Sequence, residues 1–169
     1  MSQAVIAYPT ESCYGLGCDP RSRRAVLKIL RLKRRPQAKG LILIASDPQQ
    51  FRRFVQPAAL QQAIASGNWP GPVTLLLQTS ARCPPWLRGR HNTLAVRHTA
   101  HPPAAALCRR LNTALVSTSA NRSGQPALKR AGQIDRAFGR QVQVIRANIG
   151  KEKRPSIIKD LTTGHILRS

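Results

Sequence analysis

Apolar residues recur along this chain in two rhythms. Short apolar runs alternate with longer stretches that carry apolar side chains at helical spacing. Val5-Ile6-Ala7 predicts a first strand. Residues 9–17 are polar and turn-rich and read as a loop, with Gly15 and Gly17 available for close backbone approach or positive φ. Asp19-Pro20 resembles a helix start, and residues 22–32 place Ala25, Val26, Ile29, Leu30 and Leu32 on one helical face. Pro36 does not fit a helix interior, so that helix ends before it. The run Leu41-Ile42-Leu43-Ile44 follows at once as a buried strand.

The same alternation continues to the end of the chain. Short helices are expected from Asp47-Pro48 and over 57–65, and the sequence NWPGP forms a rigid turn before a strand at 73–78. A proline-rich loop or helical turn (83–89) leads to a strand at 93–97 and a helix at 101–111, with Pro102 and Pro103 confined to its first turn. A strand at 114–117, a helix at 129–138 and a strand at 142–145 follow. Residues 156–160 and 165–167 predict a hairpin about Thr163-Gly164. The pattern predicts one domain over residues 1–169, of the α/β or α+β class, with a mixed, twisted sheet flanked by helices.

Composition changes this picture mainly through charge. The chain carries 28 basic and 6 acidic residues, a net charge of +22, with 21 arginines against 7 lysines. Such a surface attracts polyanions in a salt-dependent way, and nucleic acid is the partner it implies. A general compositional bias toward arginine is the other reading, because the charges are spread along the chain rather than gathered in one block. Aromatic residues make up only 4%, so aliphatic side chains must build the core. Cysteines at 13, 18, 83 and 108 form no CxxC pair and are not grouped with histidines, which argues against a structural zinc. No apolar run approaches a membrane span, and the start MSQAVIAYPTE lacks the charged segment and long apolar stretch of a signal peptide. A cytoplasmic protein with reduced thiols and no membrane partner is expected.

The candidate chemistry is cationic and hydroxyl-rich. Lys33, Arg35 and Lys39 lie around the turn that Pro36 stiffens, a place suited to an anionic ligand; a solvated basic turn is the bland reading. Ser117, Thr118, Ser119, Asn121 and Ser123 crowd one strand exit, with Gly124 to turn the chain; they suit a phosphate or ribose, and equally an ordinary capping loop. Arg97 ends a strand of buried residues and needs a partner, for which a carboxylate is the natural choice. Thr10 and Glu11 stand at the first strand exit, the one as a hydrogen-bonding group, the other able to neutralise a neighbouring arginine. Ser156 is a further hydroxyl at the start of a late strand. There is no GxxxxGK[ST], no Rossmann glycine fingerprint and no HExxH.

Six stretches in order, IAYPTESCYGLGCDP (6–20), LKRRPQAKGLILIA (32–45), WPGPVTLLL (69–77), LAVRHTAHP (94–102), VSTSANRSG (116–124) and RPSIIKDLTTGHILR (154–168), resemble the YrdC/Sua5 family of threonylcarbamoyl-AMP synthases, in its short single-domain bacterial branch. The resemblance implies a YrdC-like, twisted and mostly open sheet with a large basic cavity. It also implies an enzyme that joins L-threonine, bicarbonate and ATP, with Mg2+, into threonylcarbamoyl-adenylate and pyrophosphate. The product would feed a threonylcarbamoyl transferase machinery acting on tRNA.

By the same resemblance, Lys33 and Arg35 match a KxR pair facing the ATP phosphates and offset charge in the reaction. Lys39, Thr93, Ser119 and Asn121 fall at nucleotide-contacting positions. Thr10, Arg97, Ser117 and Ser156 fall at L-threonine positions, with Arg97 gripping the carboxylate. No residue is assigned to a metal. Ile44 stands where longer relatives often carry a histidine. Relatives usually begin with a helix before the first strand, whereas only residues 1–4 precede Val5 here, so one sheet face is expected to be thinly covered. Two alternatives remain at this stage: a tRNA- or double-stranded-RNA-binding module on the same fold, and a related carbamoyl or adenylate chemistry on another small molecule.

Overall fold

The computed structural model describes residues 4–168; the start of the chain at residues 1–3 lies outside the described residues. Nine strands form one open sheet in the order β7-β1-β2-β6-β3-β5-β4-β8-β9 among these residues. They are β1 (Ile6–Pro9), β2 (Tyr14–Gly17), β3 (Ile42–Ala45), β4 (Val73–Gln78), β5 (Thr93–His98), β6 (Leu115–Ser119), β7 (Gln143–Val144), β8 (Ile157–Asp160) and β9 (Ile166–Arg168). Parallel pairs (β1–β7, β3–β5, β4–β8) are interleaved with antiparallel ones, giving the mixed sheet expected from the alternation.

The helices are α1 (Arg23–Lys33), α2 (Pro57–Ala65), α3 (Pro85–Arg88), α4 (Pro102–Leu111) and α5 (Ala131–Phe138). Helix α1 starts where Ser22 Oγ accepts the Ala25 N–H, and it buries Ala25, Val26, Ile29 and Leu30. It stops at Arg34, which takes a left-handed conformation (φ 51°) and returns its N–H to the last turn. Pro36 then opens a 3-10 turn, Gln37–Lys39, that delivers the chain to β3.

Strand β2 replaces the loop expected over residues 9–17. It pairs antiparallel with β1, Ile6 opposite Gly17 and Pro9 opposite Tyr14. Tyr14 and Leu16 are buried, so the period-2 pattern was present, but two glycines weakened it. Gly17 is required by contact: a Cβ there would lie 2.5 Å from the Val116 carbonyl oxygen and 2.6 Å from the Tyr8 ring. Elsewhere the differences are of extent. β6 runs on to Ser119, β7 shrinks to two residues, and α5 begins at Ala131 behind the cap residue Arg130.

Alternation sorts the core into two faces. Val5, Ala7, Leu43, Ala45, Leu75, Leu77, Leu94, Val96, Ala114 and Val116 pack with residues of α1, α2, α3 and α5. Ile6, Tyr8, Ile44 and Leu115 point the other way, onto Ala104, Leu107 and Cys108 of α4. All of β1 is therefore buried, and the thin cover expected near Val5 is not found there. Ile44 belongs to this second cluster and is fully buried. Among the described residues, four helices cover one face and α4 alone covers the other, so part of that second face stays open. Its side chains there are Ile42, Arg97 and Ser117. Among the described residues, no helix is long and apolar enough to cross a membrane.

Candidate functional site

The open part of that face is a cavity of about 240 Å3, lined by residues at or beside the ends of six strands, β1, β2, β3, β5, β6 and β8. Thr10, Arg97, Ser117 and Ser156 all line it, together with Arg35 and Ser119. Thr10 follows β1, and its Oγ1 donates to the Cys13 carbonyl at 2.8 Å, which fixes the rotamer. Ser117 sits on β6 opposite Ile42 of β3. Ser156 Oγ lies 2.8 Å from Thr74 Oγ1, so β4 holds the start of β8 in place. Arg97 is 8% exposed, and its Nη2 lies 3.1 Å from Glu11 Oε2. The other carboxylate oxygen, Oε1, accepts from Thr99 Oγ1 at 2.7 Å. Glu11, expected to neutralise a neighbouring arginine, thus meets Arg97.

A second cavity, about 260 Å3, adjoins the first. Arg35, Leu41 and Ile42 line both, so the two are compartments of one chamber. Lys39 and Thr93 face the second compartment with Arg88, His91 and an apolar floor that includes Leu76 and Leu87. Arg35 is held at the junction by donating Nε and Nη2 to the Gly40 carbonyl, at 3.3 and 3.0 Å. Burial lowers its pKa from the usual arginine value. Alone, each compartment falls below the ~300–1,000 Å3 of an ordinary small-molecule site; joined, they reach it.

Lys33 and Asn121 line neither compartment. Lys33 is only 3% exposed, and its ammonium donates to the Ser119 carbonyl, to the Asn121 carbonyl at 2.9 Å and to Asn121 Oδ1 at 3.1 Å. Its three protons are spent on the loop after β6. In return the Ser123 N–H donates to the Lys33 carbonyl at 2.8 Å. Ser119 Oγ donates to Asn121 Oδ1 at 2.5 Å, and Asn121 Nδ2 donates to the Gln125 carbonyl. Gly124, at φ 82°, turns the loop as expected. Burial first, then the nearby Arg35 charge, push the Lys33 pKa down to about 8.

The ten expected site residues therefore divide. Six share the first compartment, with Arg35 also facing the second; two stand in the second; two brace the loop after β6. Residues not anticipated are Ser12 and Cys13 on the wall, Thr74 behind Ser156, and Thr99 and His101 behind Glu11. Thr99 and His101 follow Arg97 at alternate positions, the one signal that could have placed them. Among the described residues, no Asp or Glu lines either compartment. The wall offers cations, hydroxyls and peptide groups, which bind anions and position reactants but give a hard divalent cation no carboxylate ligand.

Known proteins resemble this chain in sequence and in fold. The family Sua5_yciO_yrdC, described as "Telomere recombination", matches residues 2–169. A "Threonylcarbamoyl-AMP synthase" of Chromobacterium violaceum is 56% identical over 165 residues, covering 97% of this chain and 86% of that protein. P. abyssi Sua5 complexed with L-threonine superposes with a TM-score of 0.86 at 30% identity, covering 97% of this chain. This chain spans about half (49%) of that longer protein. E. coli YciO superposes with a TM-score of 0.82 at 26% identity, covering 99% of this chain and 83% of its own. The match over nearly every residue, on a sheet whose open face carries the chamber, makes this chain a member of the Sua5/YciO/YrdC family.

Proposed function

We propose that this protein is an L-threonylcarbamoyladenylate synthase, a nucleotidyltransferase that makes threonylcarbamoyl-AMP and pyrophosphate from L-threonine, bicarbonate and ATP. The observation that carries the reading is Arg35, one cation on the wall of two joined compartments. The names of the relatives and the L-threonine bound by P. abyssi Sua5 point the same way.

In this reading the amino acid occupies the first compartment. Arg97 takes its carboxylate, and Thr10, Ser117 and Ser156 supply hydrogen bonds around the rest. The nucleotide lies across Arg35, with Lys39 and Thr93 beside it and Ser119 at the boundary. The amine of threonine bonds to the carbon of bicarbonate and water is lost, leaving a carbamate. A carbamate oxygen then attacks the α-phosphorus, and the bond to the β-phosphate oxygen breaks, releasing pyrophosphate. Arg35 offsets the charge that develops there. Lys33 and Asn121 serve by holding the loop that presents Ser119. With no carboxylate on the wall, magnesium enters as part of the metal–nucleotide substrate, held by its phosphates.

We further place the protein as a single YrdC-like domain in the cytoplasm, where ATP and tRNA are found. Its product is a mixed anhydride, so a transferase that passes the threonylcarbamoyl group to adenosine 37 of tRNA must consume it. The net charge of +22 gives tRNA a further, salt-dependent attraction to the surface. The test is incubation with ATP, magnesium, bicarbonate and L-threonine. L-threonine-dependent release of pyrophosphate, with the adenylate product, is expected; folded protein that releases none defeats the proposal.

A further inference from the structure

Three buried side-chain polar atoms lack a hydrogen-bond partner among the described residues: Glu11 Oε2, Arg97 Nε and His101 Nε2. All three belong to one group of side chains behind the first compartment. Arg97 lines the compartment, whereas Glu11, Thr99 and His101 do not. The Glu11 carboxylate is pinned on one side by Thr99 Oγ1, which itself accepts the His101 backbone N–H at 3.2 Å. On its other side Oε2 faces Arg97 Nη2.

The backbone of Glu11 is pinned as well. Its carbonyl accepts the Glu152 N–H at 3.1 Å, and the Thr10 carbonyl accepts the Gly150 N–H at 2.9 Å. A Cβ on Gly150 would lie 2.5 Å from the Glu11 carbonyl oxygen, so glycine is what lets this segment close over Glu11. The result is a carboxylate with little freedom, sealed from the compartment and aimed at one end of a guanidinium. The Nε of that guanidinium is left unpaired.

We propose that Glu11 is a positioning residue for Arg97. It holds the Nη2 end of the guanidinium and so fixes how the rest of that group is presented to a carboxylate ligand in the compartment. Glu11 touches no ligand and acts only through Arg97. A guanidinium presents carboxylate-binding forks of fixed geometry, so occupying one end decides which remains. This inference rests on the amino acid binding in the first compartment, as argued above.

The test is steady-state kinetics with both substrates. Glu11→Gln, which keeps the size and the Thr99 contact but not the charge, is expected to raise the KM for L-threonine by about tenfold to a hundredfold, the scale of a small misplacement in a site. The KM for ATP and kcat should stay within about twofold, on the same argument. In an Arg97→Ala background the Glu11→Gln change should add nothing, because its whole effect passes through Arg97. An unchanged KM for L-threonine, an equal rise in both KM values, or additive effects of the two substitutions would each overturn the proposal.

Should Glu11→Gln not fold, Thr99→Val keeps both charges and frees the carboxylate, together with the His101 N–H that Thr99 Oγ1 accepts. It should raise the KM for L-threonine several-fold, and no rise would count against the proposal. Titration of Arg97→Ala with L-threonine separates the two claims. Loss of binding there with normal binding in Glu11→Gln removes only the role of Glu11. Normal binding in Arg97→Ala removes the amino-acid assignment itself.

Discussion

The two compartments of the chamber are built differently. In the first, Thr10, Arg97, Ser117 and Ser156 stand on strands or beside their ends, each less than 9% exposed. Neighbouring strands hold them through short contacts such as Thr74–Ser156. In the second, Lys39 comes from a 3-10 turn, Arg88 from the last residue of α3 and His91 from the loop after it, and Lys39 and His91 are exposed. The first compartment is therefore preorganised, with its desolvation and ordering cost met when the sheet folds. The second is closer to water, and its arginines, Arg35 and Arg88, are only half-buried. Electrostatic contributions follow burial, because solvent screens an exposed charge and not a sealed one.

Arg97→Ala should break this contrast most severely. Truncating one partner of a buried charge pair costs about 2–5 kcal/mol, much of it from stranding the other charge. Binding of L-threonine by calorimetry should fall by at least about thirtyfold on that scale. The melting temperature should fall too, since Glu11 loses its counter-charge. Stability retained in full would mean that Glu11 and Arg97 are not coupled in solution.

Arg35→Ala should come next. A hydrogen bond to a charged group is worth about 1.5–3 kcal/mol, so a loss of about tenfold to a hundredfold in kcat/KM for ATP is expected, with binding of L-threonine altered less. A variant that loses L-threonine and keeps ATP would reverse the assignment of the two compartments.

How far each region could be read from the chain follows the same division. Short apolar runs at Val5–Ala7 and Leu41–Ile44 and the alternation of Thr93–Arg97 gave the strands, and a strand that alternates also says which side chains share a face. That is how Arg97 stood out as an arginine at the end of a buried strand. The loop after β6 was legible only as a crowd of hydroxyls. The acceptors of Lys33 include backbone carbonyls 86 and 88 residues further on, which no side-chain pattern encodes. Lys33 was therefore expected to face phosphate, and its inward turn became visible only with the tertiary fold. Strand β2 was missed for a different reason, because the glycines that allow close packing against Tyr8 also lower strand propensity.

The inward turn of Lys33 gives a prediction in pH. Its pKa is pushed down to about 8 from the ordinary 10.5 by burial, with Arg35 adding to the effect. Above pH 8 the ammonium loses a proton and one of its three bonds to the loop. The kcat/KM for ATP should then fall by up to about tenfold per pH unit, with an alkaline limb near the free-enzyme pKa. Stability moves the other way. A lysine whose folded pKa is depressed binds fewer protons than the unfolded chain between about pH 8 and 10.5, so this group makes the fold more stable as pH rises across that window. Falling activity without falling stability is the signature. A profile flat to pH 10 would mean that the Lys33 charge does not hold the loop.

Lys39→Ala should have the smallest effect, and it sharpens the comparison most directly. Lys39 faces the second compartment from an exposed 3-10 turn and makes no side-chain hydrogen bond recorded among the described residues. Coulomb attraction from such a position is worth less than about 1 kcal/mol at ordinary salt, at most about fivefold in the KM for ATP. Because the Debye length shortens from about 30 Å at 0.01 M salt to about 10 Å at 0.1 M, the deficit should shrink as salt is added. The Arg35→Ala deficit should persist over the same range, its charge being half-buried at the junction. Equal salt sensitivity of the two variants would show that the second compartment is as wet at its junction as at its rim, and the contrast between a sealed and an open half would fail.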